Sequence, residues 1–454
     1  MIRILTAPLL SSAFVLAYVT PAAAQEVVQD HEVVQTPEHD PLAGMDADGR
    51  IERPPMPSDL KNPGRWRYTP PGRIPPGNPL ERFFISSFLS PILFRDEDIG
   101  FGGGVALTDI DFRNKDYQEF ANILLTYSEE GQQRYAIGWR RWLNHRKLSN
   151  GGIIREERSS LFGRAGYSKT LTRRFFGFGS RTEEEDETSY TEELSEFAVS
   201  AQVSLPDPGD DVIGYAGLIF ESHGLSGGRI SNVPSTEQVF ADTVEAGDEL
   251  DQMWLEAAIA YDSRDSISQP YSGWRTGLST QTALLQTGGD VGGVVALDAQ
   301  VVVPVPPLLH SGGDGTEENP PTDVLAVGAF VADTWGDLPF YRLPNLGGSN
   351  TLRGFIDNRF TDRAAWHASV EWRLALVPRG IAFTKGFRFE RIGLALFHDM
   401  GTVASGIDDL SDGRVHTSSG LGLRFAFARE ALFRLDYGFS DEGTNLVIRF
   451  GNAF

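Results

Sequence analysis

Along most of the chain, apolar and polar residues alternate one by one. Tyr135, Ile137 and Trp139 interleave with Ala136, Gly138 and Arg140, and Phe197, Val199, Ala201, Val203 and Leu205 with Ser200, Gln202 and Ser204. Leu255, Ala257, Ile259 and Tyr261 alternate with Glu256, Ala258, Ala260 and Asp262; Val295, Leu297, Ala299, Val301 and Val303 with Asp298 and Gln300. Near the end, Ala431, Phe433, Leu435, Tyr437 and Phe439 alternate with Arg434, Asp436 and Ser440. A period of two is that of an extended strand, whose successive side chains point to opposite faces. Such segments start near residue 92, are separated by Gly, Asn, Asp and Pro clusters, and number about sixteen at about ten residues each.

Alternation alone would also suit a soluble sandwich. The sign of the alternation separates the two: charges recur on one face of strand after strand, aromatics and aliphatics on the other. A soluble barrel would keep its apolar face inside, whereas a barrel in lipid shows it outward and keeps a polar lumen. An even strand count lets the sheet close without an edge. The expected fold is therefore all-β, a transmembrane antiparallel β-barrel of about 16 strands over residues 80–454. Long outer loops are expected at about 177–192, 222–250, 338–362 and 402–415, and short turns at Pro206–Gly209 and Ala428–Glu430. The Pro304–Asp323 connection is long on the side where turns should be short.

The first fifth of the chain is different. A basic start at Arg3, an apolar run through Val19 and Ala22-Ala23-Ala24 before Gln25 read as a secretory signal peptide over residues 1–24. Residues 25–79 are proline-rich and charged, so they read as a flexible periplasmic tail. The sequence has no cysteine, which excludes disulfides and thiol chemistry. A net charge of −22 argues against nucleic acid as a partner, since that role needs basic surface. A mean hydropathy of −0.22 would suit a soluble protein, but alternating faces cancel in any average.

Catalytic chemistry finds little support. The chain has no His-Glu-x-x-His, no Gly-x-Ser-x-Gly and no phosphate-binding Gly-Lys-Ser/Thr loop. His398 and Asp399 are adjacent, so strand parity sends them to opposite faces. The Glu183–Glu187 acidic run reads as a solvated surface. No cofactor and no metal is expected, and the protein is not expected to be an enzyme.

The residues from Leu338 to Gly401 carry the candidate site. Leu346-Gly347-Gly348 and then Leu352-Arg353-Gly354-Phe355 lie in a loop. A strand follows in which His367, Ser369, Glu371 and Arg373 share the polar face, and a second strand ends Phe397-His398-Asp399-Met400-Gly401. In this order, Leu-Gly-Gly, Arg-Gly-Phe, Glu-aromatic-Arg and Phe-x-Asp-x-Gly resemble the BamA/TamA outer-membrane assembly barrels, also called the bacterial surface-antigen family. The resemblance extends more loosely over residues 90–454 and does not reach the first fifth of the chain. The family's insertases carry polypeptide-transport-associated domains before the barrel. The tail here is too short and too proline-laden to fold into one, which sets the chain apart from the main assembly machine.

The resemblance implies a loop folded into the lumen and locked by Arg353, Gly354, Phe355, Glu371, Asp399 and Gly401. Phe175–Gly179 and Asp262-Ser263-Arg264-Asp265 with Pro270 and Gly273 are further family-like elements. Phe450 and Phe454 resemble the C-terminal assembly signal of outer-membrane barrels, although Asn452 departs from it. The expected function is help in inserting or moving proteins (or lipids) at the outer membrane of a Gram-negative bacterium. Partners would be outer-membrane lipid and lipopolysaccharide, with client proteins or a periplasmic partner. Pro91 is expected to interrupt the first strand, and with Gly451 at the last would weaken pairing at the two ends of the sheet and leave a lateral seam. A passive channel and an outer-membrane enzyme using lumen carboxylates are the alternatives.

Overall fold

In a computed structural model of the chain, residues 51–453 are described apart from 97, 314–322, 378–380, 385–386, 390 and 428–430, with a few more between 39 and 46. The segment read as a signal peptide, residues 314–322 of the 304–323 connection and Phe454 lie outside the described residues.

Sixteen strands form one antiparallel sheet in unbroken chain order. They are β1 (Ser87–Asp96), β2 (Gly100–Asp109), β3 (Glu119–Ser128), β4 (Gln133–Trp142), β5 (Ser160–Phe175), β6 (Thr188–Leu205), β7 (Val212–Gly227) and β8 (Leu250–Asp262). The second half comprises β9 (Gly273–Gln286), β10 (Gly292–Val305), β11 (Asp323–Gly336), β12 (Ala364–Val377), β13 (Arg391–Ala404), β14 (His416–Phe427), β15 (Ala431–Phe439) and β16 (Thr444–Phe450). Each strand's neighbours supply its backbone partners, which is what a sheet in hydrocarbon requires. Among the described residues β1 pairs only with β2, and β16 only with β15. No described helix is long and apolar enough to cross a membrane.

The two faces separate as the alternation predicts. Leu93, Ile137, Phe197, Ile259, Leu278 and Leu297 are exposed on the outer face. On β12, His367, Ser369 and Glu371 are buried on the inner face, and on β13 Phe397 and Asp399 are buried while His398 points outward to Ser419. Contacts between distant segments, such as His416 on β14 with Ser180 in the loop after β5, show the sheet rolled about its polar face. The four long connections fall at 176–187, 228–249, 337–363 and 405–415, on one end of the sheet.

Two expectations change. Residues 51–79, read as flexible tail, are packed: Trp66–Thr69 pairs antiparallel with Ile153–Glu156, which also pairs with His145–Lys147. Trp66, Tyr68 and Ile154 bury together, with Ile51, Met56, Leu60 and Leu148 beside them. The proline-rich average of the segment concealed these apolar residues, whose partners come from the connection after β4. This cap reaches the turn after β6 through Asn62–Asp210 and Arg65–Asp211, and the turn after β8 through Arg65 and the Ser263 carbonyl. Pro91 does not interrupt the first strand either. It stands inside β1 opposite Val105. A missing N–H is tolerated on a strand with one described neighbour.

Candidate functional site

The 337–363 connection does not extend away from the sheet. It folds inward, and its apolar residues build their own small core: Leu346, Leu352, Phe355 and Phe360 bury against Ala365 and Val403. This packing holds the Arg353 backbone against the inner wall. Gly354 permits that approach, because a Cβ there would stand 2.6 Å from the Phe439 backbone, and Gly438 on β15 has the same constraint against the Arg353 carbonyl. Gly401 on β13 lies under Leu346, again without room for a side chain.

Arg353 is fully buried, as are Glu371 and Asp399. Its Nε and Nη2 donate to the two oxygens of Asp399 at 3.0 and 2.8 Å. Nη1 donates to Glu371 at 2.6 Å, and Nη2 also reaches the Ser369 hydroxyl at 3.2 Å. The backbone N–H of Arg353 donates to Asp399 at 3.1 Å. The guanidinium plane stacks 3.5 Å over the Phe397 ring, so one face is desolvated by carbon. Burial by itself would lower the Arg353 pKa, but the Asp399 hydrogen bonds and charge, with Glu371 and Asp436, hold it above its ordinary value.

The acids have further partners. Ser369 and Ser418 donate to Asp399 at 2.6 and 3.3 Å. Glu371 also accepts from Arg373 at 2.8 Å and lies 3.1 Å from Arg424. Asp436 pairs with Arg424 and Arg434, and Arg434 returns to the loop by donating to the Ser349 carbonyl at 2.7 Å. Four arginines and three carboxylates thus tie the loop to four consecutive strands, β12 to β15.

Three anchors were not legible in the sequence. Asn445 on β16 donates to the carbonyls of Phe355 and Arg353 at 2.8 and 3.3 Å. Ser440 donates to the Gly354 carbonyl at 3.1 Å. Arg359 is fully buried, grips both oxygens of Glu442 at 2.7 Å, and donates to Thr182. No local pattern marks Arg359, because its carboxylate partner lies 83 residues away.

Arg353, Gly354, Phe355, Glu371, Asp399 and Gly401 therefore meet in one place. Pro91 lies within β1 and Gly451 just after β16, and the Phe450 side chain lies outside the described residues. The Glu183–Glu187 run is part of an outer loop in which Glu187 pairs with Arg174. Among the described residues, no group of three or more His, Asp or Glu is arranged to hold a metal ion.

The Omp85 superfamily domain matches residues 120–453. The chain belongs to the Omp85 superfamily. Among solved structures, this Omp85 chain is similar to CdiB from Escherichia coli, with a TM-score of 0.51 and 11% identity over 80% of this chain and 62% of that one. CdiB from Acinetobacter baumannii gives 0.46 and 12% over 80% and 58%, and BamA from Haemophilus ducreyi lacking POTRA domains 1–3 gives 0.48 and 14% over 81% and 70%. The chain thus spans less than two thirds of either CdiB. No curated protein sequence matches it. At these identities the likeness concerns the fold, a sixteen-stranded all-β Omp85 barrel with no membrane-spanning helix among the described residues.

Proposed function

We propose that this Omp85 barrel sits in the outer membrane of a Gram-negative bacterium and assists the insertion or translocation of proteins there, without enzymatic chemistry. The observation that carries the reading is the course of the inner loop. It is bonded to β12, β13, β15 and β16 and packs Phe355 on His416 of β14, and so ends on a strand whose far side has no described partner. A buried salt-bridge lock that merely filled a lumen would not need to hold the terminal strand. Here Asn445 links the state of the loop to the state of β16.

An open strand edge offers a row of backbone donors and acceptors to another strand, which is how a client segment would be received. Gly451 next to β16 and Pro91 within β1 lower the cost of parting the two ends. Lipid and lipopolysaccharide surround the wall, and client proteins or a periplasmic partner act at the seam and the cap.

The test joins β1 to β16 through engineered cysteine pairs along 87–96 and 444–450, in a chain with no cysteine of its own. The cross-linked protein should reach the membrane as a heat-modifiable barrel yet fail to support envelope protein assembly or export in cells. Full activity of the cross-linked protein would refute the seam and leave the passive channel, which conductance measurement would then detect.

A further inference from the structure

Just before β1, a short helix α1 (Pro79–Ser86) turns the chain from the cap into the wall. Asn78 caps it, accepting from the N–H groups of Leu80 and Glu81, so the helix is a fixed element. Its two faces differ. Arg82 points to the turn after β2 and pairs with Asp111 and Asp116. Leu80 and Phe84 are 67% and 70% exposed, and Phe83 lies toward the outer wall.

Beside Phe83 is a recess of about 240 Å³ whose lining joins apolar Phe83, Leu107 and Ile123 to polar Asp109, Arg113 and Asn122. Ile123 has the outward parity of Leu125 and Tyr127 on β3, so the recess opens on the apolar outer face and not on the lumen. At its rim stands a polar cluster. Glu119 accepts from Arg113 at 2.6 Å and lies 3.3 Å from Arg141, one carboxylate between two guanidiniums. Arg113 and Arg141 keep 51% and 42% of their side chains exposed. The Arg113 backbone is held left-handed (φ 59°), an unfavourable conformation for a residue with a Cβ. Buried Asp111 fixes the bend by accepting the Tyr117 N–H at 2.8 Å.

We propose that α1 and this recess form a binding site for one phospholipid of the periplasmic leaflet, resting on the outer-membrane reading above. The acyl chain lies along Phe83, Leu107 and Ile123, continuous with the apolar outer face. The phosphodiester is held by Arg113 and Arg141, whose side chains stay partly exposed beside Glu119, while Asp109 is engaged by the Ser86 hydroxyl and the Asp111 N–H. Leu80 and Phe84 enter the same leaflet. An apolar helix face below an anionic headgroup is how short amphipathic helices lie in an interface, and guanidinium forks suit phosphate oxygens. The site would fix the start of β1 in depth, beside the end of the sheet.

With no native cysteine, single cysteines can carry a spin label to chosen positions. In vesicles of phosphatidylethanolamine and phosphatidylglycerol, labels at Leu80→Cys and Phe84→Cys are expected to meet oxygen more than a water-soluble nickel chelate, as a label at Leu93→Cys on the wall does. Aqueous readings at 80 and 84 with a lipid reading at 93 would overturn the site. An aqueous reading at 93 as well would overturn the membrane reading instead. For the headgroup, native mass spectrometry of the full chain with added phosphatidylglycerol should show one retained lipid. Arg113→Gln with Arg141→Gln should cut retention about tenfold, the loss expected for a phosphate deprived of a charge-assisted hydrogen bond. Glu119→Gln keeps both arginines and removes their competitor, so it should retain lipid at least as well as the parent. Undiminished retention in the arginine variant, or weaker retention in Glu119→Gln, overturns the headgroup assignment.

Discussion

Arg353→Ala is the most informative perturbation of the inner loop. It deletes three bonds to Asp399 and Glu371 and the stack on Phe397, all at fully buried positions. The consequences for the two acids differ. Glu371 keeps Arg373 and Arg424, whereas Asp399 keeps the hydroxyls of Ser369 and Ser418 and the backbone N–H of residue 353 but no described countercharge. The cost is that of stranding a buried carboxylate, about 3–5 kcal/mol. Asp399→Ala leaves Arg353 with Glu371 and Asp436 close by, so it should cost less, about 2–3 kcal/mol. The double variant removes both charges and should be no worse than Arg353→Ala alone, a coupling of at least about 2 kcal/mol. Denaturant midpoints of the folded barrel in detergent, read from heat-modifiable migration, give the four corners of the cycle. Loop docking is followed in parallel by protease cleavage within 337–363. Additive losses, or equal costs for the two single variants, would refute the reasoning that Asp399 depends on Arg353 alone for its countercharge.

Asn445→Ala removes two donors to the loop backbone. It should cost about 1–2 kcal/mol, and a cysteine placed on β16 should then label faster; unchanged labelling would break the link between loop and terminal strand. Arg359→Ala loses a bidentate grip on Glu442 and should expose the loop to protease while β12–β15 remain protected in hydrogen exchange. Gly354→Ala puts a Cβ 2.6 Å from backbone and should cost about 1–3 kcal/mol, with the loop undocked; a neutral result would mean the loop can move away from Phe439. In the cap, burial holds the His145 pKa below its ordinary 6.5, against the pull of the Asp116 carbonyl. The folded cap therefore prefers neutral imidazole: its stability is present above pH 6.5 and lost as pH falls toward the lowered folded value. Hydrogen exchange at Trp66–Thr69 should accelerate in that window, and His145→Gln should abolish the acceleration.

Strand number, strand polarity and the faces of each strand were legible in the residues alone, because a period of two is a local property. The inward turn of Glu371 and Asp399 follows from the same parity, as does the outward turn of His398. The Arg-Gly-Phe loop could be matched to these acids because their order along the chain resembles a known family. That resemblance named Arg353 and its two acids but could not show how the bonds divide between them. Residues that meet only through the roll of the sheet were not legible. Arg359 finds Glu442 83 residues away, and Asn445 reaches Phe355 across 90, with no local pattern to mark either. The packed cap was missed for a related reason. Trp66 and Tyr68 sit in a proline-rich segment that cannot bury itself, and their core exists only because Ile153 and Ile154 arrive from the connection after β4. Local chemistry decided the strands, whereas the partners of the loop, the cap and α1 were decided where distant segments bury one another's surface and satisfy one another's charges.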